Sequence, residues 1–435
     1  MKRNKRSLYV VFLAGIAAVP AMATDMYLAA MPVIAQRWGV PDSRVALSLV
    51  LWFISFSVFL LVCGPLSDKY GRRPILLAGL GLFAVASVAC SMATNVTQLI
   101  AFRILQGIGA AGPSSMCMAI CRDRYEGEQR KHILAWIGII LGLMPMIAPS
   151  IGAAMLRFAN WRGIFIAQAV LAAAALIASW RVYRETAVER VEGHFFSLIG
   201  RYGRLAGNLR YILTVTVMGL IVGPFFGFIG FAPIVYIKIH GLSSQAFGLL
   251  FGLNALMGML GAFTCTRITR VFSDTALLTA CLIGCVLGGA FLLLFGGLHF
   301  AAFAAGMCLV TFSGGMSRPL SNHLILEQVR TDIGSASSFI VFYQFMVGAL
   351  CMRFVTAPWK APVRVFGLVA VIVPVVILAI WPFLLRMLKK PLDAERSRLP
   401  GTGKGVCMNT EQRPDIRSCS PRGCAPVASY GRQPK

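Results

Sequence analysis

Asp25 falls well inside an apolar run of this 435-residue chain. A charged group at the centre of a bilayer costs about 2.5–3.5 kcal/mol on insertion scales, so an acid in such a place usually faces a cavity and does work. Desolvation favours a neutral carboxyl and a neighbouring arginine favours a charged one. A group held between those pulls can trade a proton for a substrate. The plain alternative is that Asp25 sits at the outer end of its helix and is simply solvated. Arg103 is the matching cation, early in the run Leu99-Ile100-Ala101-Phe102-Arg103-Ile104-Leu105-Gln106-Gly107-Ile108-Gly109-Ala110-Ala111. It needs a partner or a water-filled cavity. Gly107, Gly109, Ala110 and Ala111 thin that helix so that another can approach. Arg318 and His323 lie in a later run. They either reach up to headgroups or face the same cavity as Arg103, which would make the pocket cationic around one carboxylate. Such a pocket suits polar, oxygen-rich or anionic molecules better than lipophilic cations. Trp52, Phe53 and Phe56 could bind rings, although their helical spacing fits lipid-facing or packing roles better.

A further cluster reads Gly64-Pro65-Leu66-Ser67-Asp68-Lys69-Tyr70-Gly71-Arg72-Arg73-Pro74. Gly71 supplies a tight turn. Asp68 near the end of one helix, with Arg72 and Arg73 at the start of the next, can clasp the two by charge and by helix-end dipoles. The alternative is an ordinary basic loop.

Two glycine motifs carry no nucleotide. Gly107, Gly109 and Gly112 spell G-x-G-x-x-G, but that fingerprint requires a preceding strand and a following acid, and here it lies inside an apolar helix. Gly401-Thr402-Gly403-Lys404-Gly405 lacks the full phosphate-loop pattern. No ATP site is visible, so any uphill work by the chain would run on an ion gradient.

The elements that must position these residues follow from composition. Hydrophobic residues make up 57% and charged residues 13%, an excess of apolar side chains that neither a soluble core nor a disordered chain accommodates. The net charge of +25 lies in short clusters between apolar runs of about 20 residues, long enough to cross hydrocarbon, so it speaks for topology rather than nucleic acid. Twelve helical spans are expected at about 8–32, 45–65, 75–93, 97–120, 133–156, 161–181, 211–237, 245–265, 275–296, 299–326, 334–356 and 364–388, because helices satisfy their own backbone in lipid. This divides the chain into a six-helix bundle over 1–181, a central linker over 182–210, a second bundle over 211–388 and a disordered basic tail over 389–435. Placing the N-terminus in the cytoplasm puts 31 of the 41 Lys and Arg residues inside and eight outside, which sets both termini in the cytoplasm. The basic start, apolar run and Ala21-Met22-Ala23 imitate a cleavable leader, but eleven further spans favour an uncleaved first helix.

Of twelve cysteines, nine lie in or at the ends of spans and behave as small buried hydrophobes. Cys281 and Cys285 share a face without histidine or carboxylate nearby and make poor metal ligands. Cys407, Cys419 and Cys424 in the tail match no zinc spacing. No metal and no cofactor is expected.

The loop at Gly64–Pro74 and the segment from Arg103 resemble two signatures of the major facilitator superfamily, G-x-L-[SA]-D-[RK]-x-G-R-[RK]-P and R-x-x-Q-G-x-G-A-A. Thr24-Asp25-Met26-Tyr27-Leu28-Ala29-Ala30-Met31-Pro32 resembles the D-M-Y-L-P-x-x-P segment of its Bcr/CflA drug-resistance branch, and Arg122-Asp123 and Trp161-Arg162-Gly163-Ile164-Phe165 fit the same branch. The resemblance covers about residues 8–388. It implies an all-α polytopic membrane protein with twelve transmembrane helices in two six-helix bundles around a central cavity. Asp25 and Arg103 match its cavity residues; Gly64, Asp68, Gly71 and Arg72, with Arg73 beside them, match its conformational gate. The family's antiporter signature G-P-x-x-G-G is present only as Ala148-Pro149-Ser150-Ile151-Gly152-Ala153, where Pro149 and Gly152 still permit close helix packing. The second-half copy of the gate loop, near Gly261 to Arg270, is badly degraded.

The resemblance implies a proton-driven exporter, in a bacterial cytoplasmic membrane, of a drug-like compound or a self-made metabolite such as a siderophore. Its expected partners are that small molecule, protons and the lipid bilayer, with no nucleic acid and a monomeric state. Proton-coupled uptake of a nutrient would use the same fold. A membrane sensor or enzyme finds no support, because no catalytic cluster of His, Cys, Asp and Glu is spaced along the chain.

Overall fold

The computed structural model describes residues 3–186, 195–329 and 333–388. These residues form helices joined by short turns. Helix α1 (Arg3–Leu28) is followed by α2 (Met31–Trp38), α3 (Asp42–Tyr70), α4 (Arg72–Met92), α5 (Val96–Arg124), α6 (Gly127–Phe158) and α7 (Trp161–Val182). Beyond the linker helix α8 (Phe195–Ala206) come α9 (Leu209–Gly219) and α10 (Gly223–Pro233), then α11 (Ser244–Ile268), α12 (Asp274–Phe295), α13 (Phe300–Leu326), α14 (Ile333–Val355) and α15 (Pro362–Leu388). A 3₁₀ turn joins α9 to α10 and a π turn over Ile234–Ile239 extends α10, so 209–239 acts as one span. Eleven helices among the described residues are long and apolar enough to cross a membrane, and α1 with α2 forms a twelfth, bent span.

Helix boundaries follow local chemistry. Asn95, Asn160, Ser243 and Ser273 each accept a backbone N–H at the start of α5, α7, α11 and α12, satisfying donors that the helix itself leaves open. The span edges agree with the hydropathy expectation except at two places. The first span was expected to run unbroken to residue 32. It stops at Leu28, and the chain bends by 52° into α2. The linker was expected as a loop, and part of it is α8, whose Phe195, Phe196, Leu198, Ile199, Tyr202 and Leu205 recur at helical spacing. Composition averaged over 182–210 hides that short amphipathic period. Tyr202 donates to the Leu61 carbonyl at 3.3 Å and ties α8 to α3. The expected tail over 389–435, with its three cysteines, lies outside the described residues.

The first bundle gathers α1 and α3–α7, the second α9–α15. Small residues set the closest crossings. A Cβ on Gly109 would meet the Phe83 backbone at 2.5 Å and one on Gly112 the Gly79 Cα at 3.0 Å, drawing α4 and α5 together. Gly107 lies against Trp52 and Ser55 of α3, and Gly152 against the Met26 carbonyl of α1. Between bundles, α6 meets α11 where Gly248 and Gly252 approach Ser150 and Met146, next to the buried Pro149. Aromatic contacts join α3 to α14, and Lys238 pairs with Asp42 across the bundles on the face away from the Gly71 turn.

Candidate functional site

A cavity of about 1100 Å³ lies between the bundles. Its wall runs from Thr24 and Asp25 on α1 past Trp52, Phe53, Phe56 and Leu60 on α3 to Asp68, Arg72, Arg122, Arg130 and Tyr202 at the face of the Gly71 turn. Ile229, Arg318, Ser335 and Phe345 complete it from the second bundle. The opposite face is closed by the Lys238–Asp42 ion pair and the tight α6–α11 crossing. The cavity is therefore open at the Gly71 face.

Asp25 is 6% exposed and sits on the wall, three residues before the end of α1. The Thr24 hydroxyl donates to its Oδ1 at 3.0 Å. Among the described residues no cation pairs with it. Arg103 is not a cavity residue. It is fully buried behind the wall, where its Nη1 donates to the Ala23 carbonyl at 2.9 Å and to Gln106 Oε1 at 2.5 Å. Its guanidinium lies 4.6 Å from the Tyr27 ring centre and 5.5 Å from that of Trp52, a cation–π arrangement that substitutes for a counter-ion. Gln106 Nε2 donates to Ser87 Oγ and to Gln168 Oε1, and Gln168 Nε2 reaches the Met22 carbonyl at 3.2 Å. Arg103 and Gln168 thus hold consecutive carbonyls of α1 just before Asp25. Sequence reasoning missed Gln168, because a single glutamine in an apolar span carries no distinguishing spacing.

Arg318 projects from α13 into the cavity. His323 does not line it: the imidazole is exposed, with Glu327 Oε1 3.5 Å away one helical turn on. Its place five residues after Arg318 turns it to another face of α13. Trp52, Phe53 and Phe56 line the cavity as buried, mutually packed rings, so of the lipid-facing and packing roles expected for them packing stands and the lipid-facing one does not. Trp52 stacks on Phe56 at 5.1 Å, and Phe53 and Phe56 both contact Phe345. Phe226 of α10 joins them. Helical spacing alone could not decide which face of α3 meets lipid.

At the mouth, Arg72 is 7% exposed. Its Nη1 contacts Asp68 Oδ1 at 2.5 Å and Ser67 Oγ at 2.5 Å, and its Nε contacts Asp123 Oδ2 at 2.9 Å. Gly71 has φ of +100°, left-handed backbone that a β-carbon strains, and a Cβ there would stand 2.5 Å from Glu185 Oε2. Glu185 accepts the backbone N–H of Arg72 and of Arg73, each at 3.0 Å. A carboxylate so placed satisfies two open donors and faces the positive end of α4. Arg73 also donates to the Trp180 carbonyl at 2.8 Å. The clasp is thus wider than the loop: α5 supplies Asp123 and the segment just after α7 supplies Glu185. Glu185 lies 113 residues from Arg72 in the chain, and nothing in the local pattern announces it. Gly64 lines the cavity nearby. Among the described residues no group of three or more metal-ligating side chains gathers.

The sequence profile of the Major Facilitator Superfamily matches residues 13–352. The chain is a member of that superfamily. It resembles the uncharacterized MFS-type transporter YdgK of Bacillus subtilis, 29% identical over 354 residues that cover 80% of this chain and 88% of that protein. The chloramphenicol resistance protein of Pseudomonas aeruginosa is 30% identical over 65% of this chain and 67% of its own length. Multidrug resistance protein D of Escherichia coli is 27% identical over 78% and 86%. Relatives of this kind place the chain in the drug-resistance branch that the Asp25–Pro32 segment resembles. Among solved structures, a bacterial homologue of the lysosomal transporter Spinster superposes with a TM-score of 0.72 at 15% identity, covering 89% of this chain and 98% of that one. The nucleoside transporter NupG gives 0.71 at 10% identity over 85% and 99%. Both show the shared fold. This superfamily member is a multi-pass membrane transporter rather than an enzyme.

Proposed function

We propose that this transporter exports a small organic molecule across a bacterial cytoplasmic membrane in exchange for protons, with both termini in the cytoplasm and as a monomer. One observation carries the reading: Asp25 is a buried carboxyl on the wall of a large cavity, and among the described residues a hydroxyl is its one side-chain partner. Binding a proton there breaks no salt bridge, and a cargo that approaches the same oxygens competes with the proton. The cavity opens at the Gly71 face, which the lysine and arginine bias assigns to the cytoplasm, so this state collects cargo from inside the cell. Rocking of one bundle against the other would then expose Asp25 to the far side, the usual cycle of such folds. Arg103, Gln106 and Gln168 fix the backbone of α1 around Asp25, and the Arg72 clasp gates the mouth. The drug-resistance names of the relatives support export of a drug-like cargo, and a metabolite made by the cell itself is an equal candidate.

The test uses purified protein in vesicles with an imposed proton gradient and chloramphenicol as probe cargo. Asp25→Asn is expected to express and melt like the parent and to lose movement of the probe against its gradient. An Asn variant that still drives accumulation would remove Asp25 as the coupling group.

A further inference from the structure

The charged groups that line the cavity are Asp25, Asp68, Arg72, Arg122, Arg130 and Arg318. Most are already engaged. Arg72 is held by Asp68 and Asp123. Arg122 lies 3.9 Å from Asp123. Arg130 donates to the carbonyls of Tyr125 and Arg122. Asp25 and Arg318 are, among the described residues, the lining charges whose side chains meet neither an opposite charge nor a carbonyl. They belong to different bundles, α1 and α13. Asp25 lies near the closed end of the cavity, whereas Arg318 stands eight residues before the end of α13 at the open face. The aromatic surface of Trp52, Phe53, Phe56, Phe226 and Phe345 shares this cavity.

We infer that the cargo is dipolar: an aromatic body with a cationic or hydrogen-donating end for Asp25 and a carboxylate-like end for Arg318. This deepens the exchange reading above and rests on it. The sign of the coupling restricts the choice. A simple anion would bind better once Asp25 is protonated, so proton and cargo would travel together rather than exchange. A simple cation competes with the proton at Asp25 but leaves Arg318 unpaired and repelling it. A zwitterion meets both requirements. Its cationic end excludes the proton from Asp25, and its carboxylate gives Arg318 a charge-assisted hydrogen bond.

Para-(aminomethyl)benzoate, benzylamine and benzoate share one ring and differ in charge, and the first carries its two charges at opposite ends of that ring; their binding to the purified full-length chain at pH 7 decides the matter. Para-(aminomethyl)benzoate is expected to bind at least tenfold more tightly than either analogue and to release protons as it binds. Arg318→Ala should reduce it to the level of benzylamine, Arg318→Lys should restore part of the difference, and Asp25→Asn should abolish proton release. Melting curves confirm that each variant is folded; should Arg318→Ala fail to fold, Arg318→Gln takes its place. Benzylamine binding as tightly as para-(aminomethyl)benzoate, indifference of para-(aminomethyl)benzoate to the loss of Arg318, or binding of none of the three would overturn the dipolar assignment. The exchange reading is scored separately, by gradient-driven movement of chloramphenicol and its dependence on Asp25.

Discussion

The two bundles contain corresponding turns that differ in almost every physical respect. Between α3 and α4 the chain reverses at Gly71, whose positive φ no other residue type adopts easily, and the turn is braced by carboxylates from three separate places, Asp68, Asp123 and Glu185. Between α11 and α12 the reversal uses ordinary backbone. Ser273 caps α12, Arg267 and Arg270 are exposed, and Val271 and Phe272 stand 78% and 58% exposed at the tip. No ion pair braces this second turn among the described residues. One turn is a tertiary assembly and the other a local one. The difference teaches that the first can sense how α3, α4, α5 and α7 sit together, whereas the second reports only on its own two helices.

Substitutions that break the contrast should have effects in a definite order. Gly71→Val is the most severe, because it adds backbone strain of about 1–3 kcal/mol and pushes the Glu185 carboxylate from the end of α4. Turnover in vesicles should fall at least tenfold and the melting temperature with it, whereas Val271→Ala in the other turn should leave both unchanged. Arg72→Ala comes next. It leaves Asp68 without its partner and Asp123 with Arg122 alone, at 3.9 Å, and should cost about 2 kcal/mol, less than a fully buried pair because both carboxylates retain some water. Arg267→Ala or Arg270→Ala should fall within about 0.5 kcal/mol of the parent, and equal melting temperatures for all three variants would erase the distinction. Glu185→Ala removes a helix cap worth about 1 kcal/mol, the same as Ser273→Ala. Equal stability losses but slower transport only for Glu185→Ala would show that bracing, rather than capping, matters to the cycle. Among substitutions in the first turn the smallest stability change belongs to Asp68→Asn, which keeps an oxygen beside Arg72. Its expected signature is conformational: in a background without native cysteines, a cysteine probe at Ser338 on the cavity wall should label faster. Unchanged labelling with full transport would remove Asp68 from the gate.

How much of this was readable in advance depended on the range of the interaction. Twelve spans follow from apolar run length, and the residues of the Gly71 turn from a dense local pattern of Gly, Asp and Arg. The bend after Leu28 left no mark, because Ala29 and Ala30 read as helix. Arg103 was legible as a buried cation, but its direction was not: a span of hydrophobic residues does not reveal whether an arginine faces the cavity or, as here, the rings of Tyr27 and Trp52. Asp123 stood in a matching segment without its partner being evident. Glu185 and Gln168 act across more than sixty residues of chain, and such contacts exist only once the helices are packed.

The aromatic roof carries a kinetic consequence. Phe53 and Phe56 of the first bundle touch Phe226 and Phe345 of the second in three ring contacts, with centroids 5.1–5.5 Å apart. Opening the closed face must separate these rings before water or cargo can pass. Each such contact contributes about 0.5–1.5 kcal/mol beyond simple burial, so together they slow the step by roughly ten- to two-thousandfold. The roof is then a timer: it holds the cavity shut to the far side, and the rate at which the empty carrier opens there is set by the grip of four phenylalanines.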